Sequence, residues 1–120
     1  MGKTTLILGA SANDNRYSYR AAQMLLAANH PIIMVGNKSG EINGHAILTS
    51  FPKDANIHTI TLYLGAPRQK AYYEDILQSG AKRIIFNPGT INPELKQKAQ
   101  EVGIYCEEAC NLVKLATGQF

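Results

Sequence analysis

Long apolar runs are missing from this sequence: no stretch of its 120 residues approaches the roughly 18 that a membrane-spanning helix requires. The apolar run at residues 6–8 is also far too short for the hydrophobic segment of a secretory signal. Cysteine is scarce. Only Cys106 and Cys110 occur, with three residues between them, so a C-x-x-C redox pair is absent, and the expected compartment is reducing and cytoplasmic. A strong charge of one sign is lacking as well. The net charge is +3, with basic residues spread along the chain and interleaved with acids, so neither a nucleic-acid partner nor a membrane surface is expected.

What is present suits one folded domain over residues 1–120, with 45% apolar and 18% charged residues, too apolar for disorder. Short apolar runs at residues 4–8, 31–35, 57–64, 83–86 and 104–106 read as strands, several rich in β-branched residues. Helical periodicity falls between them. Tyr19, Ala22, Leu25 and Leu26 share a stripe over residues 19–29, and Tyr72, Tyr73, Ile76 and Leu77 share another, entered through Pro67 and capped by Gly80. Asn92 and Pro93 make an N-cap and first helical residue, with Leu95, Ala99 and Val102 lining the helix that follows. A last helix is expected over residues 108–117, with Glu107 and Glu108 compensating its dipole. Residues 37–44 read as a polar loop. Strands alternating with helices over short connections predict an α/β fold, a Rossmann-like three-layer sandwich with a mostly parallel five-stranded sheet.

In such a fold, ligands bind beyond the carboxyl ends of the strands, which directs attention to the loops after Leu8, Val35, Leu64 and Phe86. The first combines Gly9 with a helix start, where free N–H groups and the positive dipole end suit a phosphate, and Arg16 and Ser18 add donors. It fits G-x-G-x-x-G poorly, since Ser11 and Asp14 stand where further glycines would. After the second strand come Gly36, Asn37 and Lys38 where an NAD site would place a carboxylate. A lysine there attracts an additional phosphate on the adenosine ribose, which admits coenzyme A or NADP; as a loop residue it is equally a solvated lysine. Gly65 to Pro67 with Arg68, and Asn87 to Thr90 with Gly89, are each either plain turns or walls of a binding cleft.

None of the three histidines, His30, His45 and His58, is spaced with another His, Cys or carboxylate as a metal site or a nucleophile–base pair requires. His30 and His58 fall at the strand ends opposite the expected cleft. "GKTT" at residues 2–5 echoes the end of a phosphate loop but precedes a strand, and carries no weight.

Taken together, "GASANDNRYSY", "TLYLGAPRQ", "FNPGT" and the closing "EEACNLVKLATGQF" resemble the small stand-alone CoA-binding proteins related to the CoA-binding domain of succinyl-CoA synthetase alpha subunits. The family pattern G-A-S-x-x-P-x-R-x-S-Y is matched at Gly9, Ala10, Ser11, Arg16, Ser18 and Tyr19, and its Asn-Pro-Gly-Thr block at residues 87–90. The resemblance implies that Gly9, Ala10, Ser11 and Ser18 approach the coenzyme A pyrophosphate, with Arg16 as its charged partner. It places Asn37 and Lys38 at the nucleotide end and the loops of Gly65, Arg68, Asn87 and Gly89 along the rest of the cleft. Two departures stand out: Asp14 replaces a proline that stiffens the first loop and brings a carboxylate to it, and "VGNKSG" replaces Val-Asn-Pro-Lys. The expected function is non-catalytic binding of coenzyme A or an acyl-CoA, as a sensor or regulatory module with a homodimer as one candidate assembly, because the phosphorylated histidine of succinyl-CoA synthetase belongs to a second domain. The alternative is an NADP-dependent oxidoreductase, for which no proton donor is evident.

Overall fold

The computed structural model describes residues 2–120. The chain runs β1 (Thr5–Leu8), α1 (Tyr17–Ala27), β2 (Ile32–Val35), β3 (Gly40–Ile42), β4 (His45–Leu48), β5 (Thr59–Leu62), α2 (Ala66–Gln69), α3 (Tyr73–Gln78), β6 (Arg83–Phe86), α4 (Pro93–Glu101), β7 (Tyr105–Glu108) and α5 (Asn111–Ala116). The sheet order is β3-β4-β2-β1-β5-β6-β7. All neighbours are parallel except the β3–β4 pair. Strand β1 is central, with Leu6 opposite Ile33 on one side and Ile60 on the other.

Alternation along β1 sets up two cores. Leu6 and Leu8 join Leu62, Ile84, Phe86, Ile76 and Leu95 on the face covered by α3 and α4. Ile7 points the other way, to Met34, Ala22 and Leu25, under α1 and α5. All four residues of β1, of β5 and of β6 are buried, as befits strands covered on both faces, with Thr5, Thr59, Thr61 and Arg83 the polar residues among them. The arrangement is Rossmann-like, as the alternation predicts.

The sheet has seven strands, not the expected five. The additional pair, β3 and β4, is a hairpin inside the stretch read as a loop. Asn43 (φ 50°) and Gly44 (φ 83°) form its two-residue turn, a left-handed conformation that Asn-Gly adopts at little cost and that matches the twist of paired strands. The C-terminal boundary also differs. Glu107 and Glu108 lie in β7, and α5 begins only at Asn111, so these carboxylates do not compensate a helix dipole. Glu107 instead sits 3.0 Å from Lys114 Nζ and 3.6 Å from Arg83 Nη1, and Glu108 is 3.2 Å from Lys96 Nζ. Val102 caps α4 and is exposed, since the helix turns its Leu95 and Ala99 face to the core. The single helix expected after Pro67 is split into α2, a 3₁₀ turn at Lys70–Tyr72, and α3.

Candidate functional site

From β1 the chain passes to β2 on one side, while β5 pairs on the other, so sheet order reverses at β1 and the carboxyl ends of β1 and β5 open a crevice. Gly9 makes the exit from β1. Its φ is +97°, and a Cβ there would stand 3.0 Å from Leu64 N, so the chain's own backbone demands the glycine. The loop beyond it is braced where the family pattern has proline. Ser11 Oγ accepts the Asn13 N–H at 3.1 Å, Asn13 Oδ1 accepts the Asn15 N–H at 3.0 Å, and Asn13 O accepts the Arg16 N–H at 3.0 Å. Side-chain turns of this kind fix the backbone locally without a pyrrolidine ring. Asp14 sits at the exposed tip, outside the residues that line the crevice.

Helix α1 follows with Arg16 at its N-cap, no side-chain cap and no acid in the first turn, so its positive end is not neutralised by the chain. A hollow of about 430 Å³ opens here, lined by Ala10, Ser11, Arg16, Asn37, Lys38 and Arg68. Three cations from three separate segments, the start of α1, the loop after β2 and helix α2, thus line one space. Among the described residues the salt bridges join Arg83, Lys96 and Lys114 to Glu107 and Glu108, and none involves Arg16, Lys38 or Arg68. Lys38 is exposed in the loop after β2 and lines this hollow together with Arg16 and Arg68, which are exposed as well.

Two further hollows share residues with the first, and a third shares residues with one of those two. Gly9, with Leu64, Ala71 and Tyr72, lines one of about 300 Å³ that shares Ala10, Asn37 and Arg68 with the basic hollow. Ser18, Gly65 and Gly89 line another of about 160 Å³, which shares Arg16. Asn87 lines the last, of about 300 Å³, along with Tyr17, Tyr63, Pro88, Cys110 and Leu112. Tyr17, Tyr63 and Pro88 belong to both of these last two. The structure thus brings every sequence-predicted residue onto one trough along the carboxyl rim. An acidic hollow bordered by Glu74 and Asp75 shares no residue with it.

The predicted residues differ in what they offer. The Asn87 side chain is engaged internally: its Nδ2 donates to Thr61 Oγ1 at 2.7 Å and Leu62 O at 2.8 Å, and its Oδ1 accepts the Asn111 N–H at 2.8 Å. It fixes the loop, and only its surface meets the trough. Gly65 is the opposite of Gly9. With φ −66° and the nearest atom to a notional Cβ 3.8 Å away, nothing in the protein requires a glycine there.

Sequence reasoning overlooked Gln69, Tyr63 and Tyr17. Gln69 is completely buried and donates to Leu64 O at 2.9 Å and Thr90 O at 2.7 Å, tying two rim loops together. Tyr63 continues from β5, and its hydroxyl is enclosed near Thr61 and Asn111 without closing a hydrogen bond to either. Burial pushes the phenol up to about 12, so it is neutral at physiological pH. A glutamine following an Arg in a helical stretch carries no sequence signal of an inward turn. Tyr63 could have been found by its place immediately after a buried strand.

Among the described residues no three His, Cys, Asp or Glu side chains are grouped to hold a metal ion. His30 and His58 lie at the amino ends of β2 and β5, away from the rim, where His30 Nδ1 accepts the Lys3 N–H at 2.9 Å and His58 Nδ1 is 2.7 Å from Thr59 Oγ1. His45 is exposed on β4. Cys106 is buried and Cys110 half-buried. No described helix is long and apolar enough to cross a membrane.

Comparison with known proteins agrees with this fold. The chain is similar to a solved structure of an uncharacterized protein at 43% identity, covering 100% of this chain and 99% of that one, with a TM-score of 0.96. It shares its fold with a hypothetical protein from Pyrococcus horikoshii OT3 (24% identity, 97% and 83% covered, TM-score 0.88). A protein from Thermus thermophilus has the same fold (18% identity, 99% and 91% covered, TM-score 0.84). No curated protein matches. The profile of the family described as a CoA binding domain matches residues 3–116, and with nearly the whole chain matched, this protein belongs to that family.

Proposed function

We propose that the chain binds coenzyme A or an acyl-CoA along the carboxyl-end rim of its sheet, performs no chemistry on it, and acts as a sensor or regulatory module. The observation that carries this reading is the convergence of Arg16, Lys38 and Arg68, all without a carboxylate partner, on one hollow beside the uncapped start of α1. Unpaired cations that converge repel one another, and a polyanion removes that cost. Coenzyme A supplies a pyrophosphate for Arg16 and the α1 N-terminus, and a 3′-phosphate for Lys38. Its adenine has a place against Leu64 and Tyr72. The absence of any histidine or paired carboxylate along the trough favours binding over catalysis.

The test is a thermal-shift series with CoA, dephospho-CoA, NADP and NAD. A ligand bound only by the native state at about a hundredfold excess over Kd stabilises it by about 2.7 kcal/mol, a shift of several degrees for a domain of this size. CoA is expected to shift most and dephospho-CoA less, and Lys38→Ala to erase the difference between them. No shift with CoA, or a larger one with NADP, overturns the reading.

A further inference from the structure

We propose that the terminal hollow bounded by Tyr17, Tyr63, Pro88, Cys110 and Leu112 receives a short, uncharged acyl chain carried on the coenzyme thiol, so that an acyl thioester is preferred to the free coenzyme. The proposal rests on the coenzyme A reading and adds a direction and a substrate class to it. Coenzyme A has one charged half, which the basic hollow collects, and one uncharged arm. Lys38 stands in the loop after β2, and that loop also supplies Gly36 and Asn37 to the hollow holding Leu64 and Tyr72. The nucleoside therefore lies toward β2. The arm leaves the pyrophosphate in the other direction, past Arg16 and through the narrow hollow of Ser18, Gly65 and Gly89. That passage opens, across Tyr17, Tyr63 and Pro88, into the terminal hollow of about 300 Å³.

The walls there differ from the rest of the trough. No lysine, arginine, aspartate or glutamate lines it, and the surface is aromatic ring, prolyl ring, thiol and isobutyl group. Two of its polar groups are withdrawn from the hollow. Tyr63 Oη is enclosed behind its ring, and both Asn87 side-chain atoms are engaged with Thr61, Leu62 and Asn111. A thiol ending at the mouth leaves this apolar surface to water, whereas an alkyl chain covers it. A terminal carboxylate entering the same space gives up hydration and meets no lysine or arginine.

Isothermal titration of the full chain with CoA, acetyl-CoA, butyryl-CoA and succinyl-CoA tests this. Each methylene between acetyl and butyryl is expected to tighten binding by up to about fourfold. Succinyl-CoA, with its terminal carboxylate, is expected to bind at least about tenfold more weakly than butyryl-CoA. Leu112→Asp should lower the ratio of butyryl-CoA to CoA affinity, and the milder Leu112→Ala should move it in the same sense if the first variant folds poorly. Equal affinity for CoA and butyryl-CoA overturns this inference alone, as does succinyl-CoA binding as tightly as butyryl-CoA; failure of all four ligands overturns the coenzyme reading with it.

Discussion

Gln69 and Thr90 are joined by an amide-to-carbonyl hydrogen bond of 2.7 Å that fastens the turn after β5 to the turn after β6. The same amide donates to Leu64 O at 2.9 Å, and its Oε1 accepts from Asn92 Nδ2 at 3.0 Å. One buried side chain thereby holds the two loops that carry Gly65 and Gly89. Gln69→Leu leaves two carbonyls unpaired, and since each buried polar group without a partner costs roughly 1–3 kcal/mol, a loss of about 3 kcal/mol is expected. Urea unfolding should show a lower midpoint with an unchanged slope. A midpoint equal to that of the wild type would show that the tie does not hold the rim.

Gly9 and Gly65 look alike in sequence and should respond oppositely. Gly9→Ala forces a side chain into a left-handed conformation and against Leu64 N, and roughly 1–3 kcal/mol of stability should be lost. Gly65→Ala meets no atom within 3.8 Å, so stability should stay within about 0.5 kcal/mol of the wild type. Its methyl group enters the trough, and the affinity for CoA should drop at least about tenfold, read by titration beside a melting curve. Unimpaired CoA binding by Gly65→Ala would remove that loop from the site.

Stability should fall as the solution is made acidic. Burial, followed by the charges of Lys3 and Arg83, holds the His30 imidazole below its usual value of 6.5, and burial, then Arg83, Lys3 and Lys82, does the same to His58. As pH falls through about 6.5 the unfolded chain takes up protons that the folded one refuses, so the equilibrium shifts toward unfolding. The loss levels off below the folded-state values and is absent above about pH 7.5. Melting temperatures at about pH 7.5 and about pH 5.5 should differ less in the His30→Gln, His58→Gln double variant than in the wild type.

The two thiols should separate in reactivity. Cys106 is buried and its thiol is pushed up by that burial, which keeps it protonated and inert. Cys110 is half-buried and borders the terminal hollow. Iodoacetamide followed by peptide mass mapping is expected to find Cys110 labelled first, and butyryl-CoA to slow that labelling. Faster reaction at Cys106 would contradict the packing described.

Much of the site was legible because chemistry and position coincide in a parallel α/β sheet. Once residues 4–8 read as a strand and a helix follows, Arg16 and Ser18 must lie at the carboxyl rim, and the same logic brings Lys38, Arg68 and Asn87 there. The hairpin of β3 and β4 was missed although Asn43-Gly44 carries its turn signal, because strands of three and four residues are too short for alternation to show. Glu107 was misread because neighbouring acids before a helix are common, and only the pairing of β6 with β7 brings Arg83 within reach of it.

The sequence by itself determined the alternation of β1, β2, β5, β6 and β7 with helices, and which loops share the rim, since apolar periodicity and the direction of parallel strands are local or topological properties. Tertiary structure alone decided that Arg16, Lys38 and Arg68 face one hollow without partners, that Gln69 ties loops 21 residues apart, and that the far end of the trough is apolar. Such convergence depends on side-chain directions and loop paths set by packing between distant segments, which no window of neighbouring residues encodes.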